Sequence, residues 1–357
     1  MTKKQITRVV AFFLVMMCMF CFLSDVFENE PNRKNTIPLR TYYALDRDTL
    51  DVALLGTSGI DRYWLAAKAY EEHGMASYGL ANNAFPSWLL LTMAKELERK
   101  HDDLKLLIVD MRPFVVNHVD GSLNKFENRA RSLTEGIPFF SLARFEAINK
   151  VLKLRSEIFE GQSRFDLSFF FTFIKHHARW SEEDFDIYAE TEYELSPYMG
   201  AYIYKGSSLR SLEQPLTTYT TDKRRELDPV CLDDLNELLE YFKKQDFEVL
   251  FINTPHAQNE SEAERINTVC DILDEKGFKY LDCPLDSKLY DLKNDFYNTG
   301  HVNYYGAEKF TAWLADYINS NYDIPDRRGD ERYSQWEGTY AKIKKTIAKW
   351  EKSAAEA

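Results

Sequence analysis

The sequence predicts an α/β protein: a parallel sheet with helices on both faces, preceded by one apolar helix. Three observations carry this. Short apolar runs that end at Gly or polar residues recur along the chain, and amphipathic helical stretches separate them. Alternation of that kind is the signature of βα units. The N-terminal run from Val9 to Leu23 is unbroken and lies apart from the pattern.

Residues 1–8 carry Lys3, Lys4 and Arg8, and Asp25 closes the apolar run. As a helix, Val9–Leu23 rises about 22 Å, short of the ~30 Å hydrocarbon core of a bilayer. Ile6, Thr7, Val26 and Phe27 can extend it, and Arg8 can snorkel. A cleaved signal peptide would need an A-x-A-type pair of small residues after the run, and Cys21-Phe22-Leu23-Ser24-Asp25-Val26 has no such site. Residues 1–27 are therefore expected to be a cytoplasmic stub and an uncleaved transmembrane anchor. The basic end would be cytoplasmic and the rest of the chain outside. Residues 28–39, polar and containing Pro31 and Pro38, read as a stalk.

The main domain is expected over 40–325. Leu50–Leu55 is a buried strand ending at Gly56, and Asp61–His73 a helix capped by Gly74. Ala76–Leu80 is a second strand, Trp88–Lys100 an amphipathic helix, and Leu104–Val109 a third strand. Residues 113–227 break the rhythm. They are rich in aromatics, as in FFSLARF and FDLSFFFTFIKHHARW, and read as a partly helical insertion. Asp228-Pro229 is a cap with Pro at the first helical position, opening a helix through Lys243. Phe247–Ile252 and Phe278–Leu281 are further strands, and Gly306–Asn319 is a late helix. Residues 326–357 become an amphipathic helix with a stripe of Trp336, Tyr340, Ile343, Ile347 and Trp350.

The 357 residues carry 45 Lys+Arg against 57 Asp+Glu, a net charge of -12. That balance disfavours a nucleic-acid partner, which needs a basic surface. Of the five cysteines only Cys18 and Cys21 have CxxC spacing, inside the apolar run, and no Cys/His cluster accompanies them, which excludes a zinc module and a dense disulfide framework. Cys231, Cys270 and Cys283 read as small buried residues. There is no glycine-rich phosphate loop, and neither a cofactor nor a metal is expected.

In a parallel sheet, ligands bind beyond the carboxyl ends of the strands. The first strand runs into Gly56-Thr57-Ser58-Gly59, so Ser58 sits in a turn where backbone N–H groups can face its oxygen. The same serine could be only a helix cap. A nucleophilic serine needs a base. His73, His101 and His118 lie at element ends among polar residues, and His176 and His177 in the insertion. His256 follows the fourth strand and could line the site. His301, in DFYNTGHVNYYGAEKF just before the last helix, is the best placed.

These blocks resemble the SGNH (GDSL-like) hydrolases: DVALLGTSGIDRYW…YGLANNAFP, LKLLIVDMR, FINTPH and DFYNTGHVNYYGAEKFT. The nearest likeness is to their membrane-anchored bacterial branch, which includes DltD and the alginate O-acetylation proteins. It covers roughly residues 40–110 and 230–320. It implies a three-layer, flavodoxin-like α/β/α fold with Ser58 as nucleophile and His301 as base. The family's aspartate position, three residues before the histidine, holds Asn298. An Asn can orient the ring but brings no charge; Asp295 could substitute only if the loop bent back. Asn82 and Asn83 stand near the family's oxyanion donors. Asp110 and Arg112, after the third strand, are candidates to bind substrate or to pair structurally. The resemblance implies a serine esterase or O-acyltransferase acting on envelope or exported polysaccharide. Its partners would be an acyl donor, a glycan acceptor and a membrane-bound acyltransferase. Trp180, Tyr198, Tyr202 and Tyr204 could stack on sugars or form a satellite core. The alternative is a degenerate scaffold that binds glycan or assists a membrane acyltransferase.

Overall fold

The structure is a computed structural model that describes residues 1–27, 33–115, 121–179, 198–209, 216–283 and 285–356. The chain divides into two compact units, Met1–Arg40 with Val119–Glu194, and Thr41–His118 with Leu195–Ala357.

The first unit is helical. Its helix Lys3–Val26 has 24 residues, about 36 Å at 1.5 Å per residue. Thr2 and Gln5 form a capping box at its start. It is the one helix among the described residues long and apolar enough to cross a membrane, over Lys3–Ser24. Residues 33–39 of the expected stalk belong to a helix, Arg33–Tyr43, that carries Pro38 within it. Helices Leu123–Thr134 and Leu142–Ile158 pack together, started by the Ser122 and Ser141 side chains. Two buried arginines organise this pair. Arg131 donates to the Ser168 carbonyl (2.6 Å) and hydroxyl (2.7 Å) and lies over Phe169. Arg155 bridges Glu127 at 2.9 Å and Asp166 at 2.7 Å. The insertion is thus partly helical.

The second unit holds a five-stranded parallel sheet of order β2-β1-β3-β4-β5, flanked by helices. The strands are β1 Val52–Gly56, β2 Ser77–Ala81, β3 Leu106–Asp110, β4 Glu248–Asn253 and β5 Lys279–Asp282. Strands β1, β2 and β3 are buried throughout, which is why each reads as a continuous apolar run. From β1 the chain steps to β2, then back past β1 to β3. With right-handed crossovers, that reversal sends helix Ala66–His73 to one face and Ser87–Lys100 to the other. Helix Tyr304–Asn321 packs with Ala66–His73, and helix Pro229–Phe242 with Ser87–Lys100. Gly74 adopts φ 69° as the left-handed cap of its helix. Asp228 caps the helix that opens at Pro229.

Three features differ from the sequence reading. The stretch 61–73 is two pieces, a short turn Ser58–Asp61 and a helix Ala66–His73. A helix spans Glu260–Lys276, its Asn259–Glu262 capping box closed. The loop before the last helix contains a small antiparallel pair, β6 Phe296–Asn298 and β7 His301–Val302.

The C-terminal segment packs on this unit. Arg327 makes a two-pronged ion pair with Asp51, at 2.8 and 2.7 Å. Trp336 donates to the Ser77 carbonyl at 3.0 Å. Tyr340, Ile343 and Ile347 are buried, so much of the predicted stripe is a packing face.

Candidate active site

The strand order reverses between β1 and β3, and the carboxyl ends of strands at such a reversal are the usual ligand position. Gly56 ends β1 beside Asp110, so close that a Cβ would lie 2.2 Å from the Asp110 Cβ. Only glycine fits there. The Asp110 carboxylate accepts the Thr57 N–H at 2.9 Å and the Thr57 hydroxyl through one oxygen. Its other oxygen accepts the Arg112 N–H at 3.0 Å. Thr57 in turn caps the Ser58–Asp61 turn by accepting from the Gly59 N–H. Asp110 therefore clamps the turn that carries Ser58, and its contact to Arg112 runs through backbone. Of the two readings open in sequence, substrate binding or structure, the geometry gives Asp110 the structural one.

Ser58 follows directly. Its Oγ lies 2.8 Å from His301 Nε2, and His301 Nδ1 lies 2.9 Å from Asn298 Oδ1. The proton positions follow from one fixed donor. The Gly300 N–H points at the same Asn298 oxygen, at 3.0 Å, so that atom must be the carbonyl of the amide. His301 Nδ1 must then carry its proton, which leaves the Nε2 lone pair to accept the Ser58 hydroxyl. Asn298 thus fixes the tautomer that a serine base requires. Asp295 does not reach the ring: it pairs with Lys309 at 2.6 Å and accepts the Asp291 N–H.

The surroundings keep His301 neutral. Burial, then the positive charges of Arg112 and Arg62, push its pKa down to about 3. Arg112 donates to the Gly300 carbonyl at 3.3 Å and the Thr254 carbonyl at 3.2 Å, bracing the two loops that flank the serine. Tyr63 donates to the Pro255 carbonyl at 2.5 Å and to Gly300 at 3.2 Å. Arg62 approaches the buried Asp61 at 2.7 Å and lies 3.9 Å from the Tyr202 ring centre. Burial raises the Asp61 pKa to about 7 against the pull of Arg62.

His256 is buried and donates Nδ1–H to the Thr254 carbonyl at 2.7 Å. Burial and Arg112 hold its pKa at about 3. It lines a cavity of about 330 Å³ with Thr218, Gln258, Asn267 and Cys283. A larger one, about 670 Å³, lies at the amino ends of β3 and β4, lined by Leu104, Lys105, Phe247 and Glu248, at the end of the strands opposite Ser58.

β2 pairs with β1 so that Ala81 faces Gly56, placing Asn82 beside the turn of Ser58. Asn82 is buried and gives its own N–H to the Gly56 carbonyl at 3.2 Å, so only its side chain could serve an oxyanion. Asn83 is exposed and makes no hydrogen bond among the described residues. The Ser58 N–H opens a helical turn and has no intrahelical acceptor.

The other described histidines have other contacts. His73 approaches Asp316 at 3.4 Å, His101 is buried against Tyr42, and His177 bonds the Ile174 carbonyl. His118 and Trp180 lie outside the described residues. Tyr204 stacks on Tyr297 at 3.8 Å, nearly parallel, with His301 5.9 Å away. Tyr202 is half exposed beneath Arg62, and Tyr198 is partly buried. Cys231 and Cys283 are buried and Cys270 is partly buried, and none of the three is in a disulfide. No group of His, Cys, Asp and Glu among the described residues could hold a metal ion.

Thr57, Arg62 and Tyr63 were not candidates from sequence. Thr57 carried a signal, its capping position two residues before Gly59; a tyrosine hydroxyl reaching carbonyls 192 and 237 residues away carries none. In comparisons with models of known protein families and with curated proteins, the chain matches none.

Proposed function

We propose that the chain is a membrane-anchored, SGNH-like serine acyl esterase or O-acyltransferase acting outside the membrane on envelope or exported polysaccharide. The observation that carries it is the 2.8 Å contact of Ser58 Oγ with His301 Nε2, in a ring whose tautomer Asn298 and Gly300 fix. The flanking sequence blocks and the parallel sheet agree with that family. The basic N-terminus and single apolar helix agree with an anchor whose start is cytoplasmic.

In this reading Ser58 Oγ attacks the acyl carbonyl carbon while its proton passes to His301 Nε2. The carbonyl oxygen becomes an oxyanion that the Ser58 N–H and the Asn82 side-chain amide would receive. The C–O bond to the leaving alcohol breaks, and His301 returns the proton to that oxygen. The acyl-serine is then resolved by water, giving an acid, or by a sugar hydroxyl, giving a new ester. His301 takes the proton of either acceptor and passes it to Ser58 Oγ as the acyl–Oγ bond breaks.

Asn298 supplies orientation without charge, so the imidazolium formed in each step lacks a carboxylate. That one substitution favours the second reading, a degenerate scaffold that binds glycan or assists a membrane acyltransferase. Intact-protein mass after fluorophosphonate treatment separates them. The catalytic reading expects one adduct per chain, absent from Ser58→Ala. A folded chain that takes no adduct leaves the scaffold.

A further inference from the structure

Outside the N-terminal helix, most of the exposed large apolar side chains among the described residues sit in the first unit. Phe140 is 81 % exposed and Phe165 68 %, and Leu142, Phe145, Leu167 and Ile174 are exposed with them. Soluble surfaces seldom leave so many large apolar groups together in water. Nor are these scattered. Phe140 touches Phe139, with ring centres 5.0 Å apart, and Phe139 touches Phe171 at 5.6 Å. Phe145 meets Phe170 at 6.2 Å, and Phe171 meets Phe173 at 6.4 Å.

The run of rings ends on the apolar helix itself. Phe20 lies 5.4 Å from Phe171 and 5.2 Å from Phe173, and the Thr172 hydroxyl donates to the Ser24 carbonyl. These contacts fix the depth of the patch, because all of them fall within one compact unit. Phe20 stands about 17 Å along the helix from Val9. The candidate span Lys3–Ser24 is about 33 Å long against a hydrocarbon core of ~30 Å, so Phe20, about 6 Å before Ser24, falls inside the core or at its edge.

We propose that the face bearing Phe140, Leu142, Phe145, Phe165, Leu167 and Ile174 is immersed in the lipid leaflet at the C-terminal end of the N-terminal helix. The helical unit is then a foot that stands in the bilayer beside its anchor. Lipid is the occupant because Phe140 runs ring to ring, through Phe139 and Phe171, to Phe20 on a helix surface already suited to lipid. The inference rests on the anchor reading above and is independent of the serine chemistry.

The test uses the full chain with Cys18, Cys21 and Cys270 replaced by Ser and the buried Cys231 and Cys283 kept, reconstituted in phosphatidylcholine–phosphatidylglycerol vesicles. Single nitroxide labels are attached after Leu14→Cys, Phe140→Cys, Phe165→Cys and, as the aqueous reference, Lys349→Cys. The expected result is oxygen-to-nickel-chelate accessibility at 140 and 165 several-fold above that at 349, as at 14. Aqueous values at 140 and 165 with a lipid value at 14 overturn the proposal and leave the anchor standing. Shielding from both relaxants means that protein covers the patch, and also overturns it. An aqueous value at 14 removes the anchor and the proposal together.

Discussion

Asn298 is read by two N–H groups, and this decides what the position can do. Its oxygen serves Gly300 and His301 together, so an amide that could flip is held one way. A carboxylate would keep both contacts and add charge. Asn298→Asp is therefore expected to stabilise the imidazolium and raise the His301 pKa from about 3 toward the ordinary range. The sign follows: the acid limb of the fluorophosphonate labelling rate moves to higher pH, while the rate at neutral pH rises. Stopped labelling across pH 3–8 checks it, and an unmoved acid limb counts against His301 as the base. Arg112→Met tests positioning. It removes the brace on the Gly300 and Thr254 carbonyls, and a small displacement of the ring should cost labelling about 10-fold or more. His301 was legible in sequence because it immediately precedes the last helix. Arg112 and Tyr63 were not legible in these roles, since their partners are carbonyls, and a carbonyl has no residue identity.

Elements in this fold are held by close approaches as much as by apolar faces. Gly56 has room for hydrogen alone against Asp110, so Gly56→Ala must move β1, the clamp on Thr57, or both. The expected loss is about 1–3 kcal/mol of stability, with labelling of Ser58 reduced further than stability alone requires. Urea unfolding with parallel labelling measures both. The C-terminal segment gives a second case. Asp51 is buried in its pair with Arg327, and removing the guanidinium strands the carboxylate. Arg327→Ala should destabilise by about 3–5 kcal/mol, while Arg328→Ala, next to it in an exposed pair, should cost under about 1 kcal/mol. Strands β1 to β4 were readable because their buried positions form apolar runs, whereas β5 is only partly buried. The boundaries of the insertion were not readable. Residues 198–209 return to the sheet through backbone, with Gly79 N–H on the Met199 carbonyl and Gly200 against Gly79, and such contacts leave no periodic pattern. The sequence reading therefore set the insertion at 113–227, whereas the compact first unit takes 119–194 of it.

Across the molecule, three histidines are held neutral with pKa values of about 3: His101, His256 and His301. Burial is the largest cause for each. In the unfolded chain they titrate near the ordinary value of about 6.5. A depressed folded pKa means that the unfolded state takes up protons first as pH falls. Stability is then whole above about 6.5 and declines toward about 3, by up to about 1.4 kcal/mol per pH unit for each histidine. Urea midpoints at pH 7, 5.5 and 4 should fall in that order. His101→Gln, at a site remote from Ser58 and flanked by Lys100 and Asp48, should flatten the fall by one proton's share. The chain's excess of acidic residues, visible in composition, said nothing of this, because it is burial that depresses the three values.

The contact between Ser58 and His301 spans 243 residues. The β1 turn leaves the ribosome early, and β7 emerges only in the last fifth of the chain. In the catalytic reading, the serine is an ordinary alcohol throughout synthesis and passage across the membrane. It becomes a nucleophile only when the final loop closes over it. Maturation of the enzyme would then need no pro-segment and no cleavage: completing the chain is itself the activating event, and a chain interrupted anywhere before that loop is chemically silent.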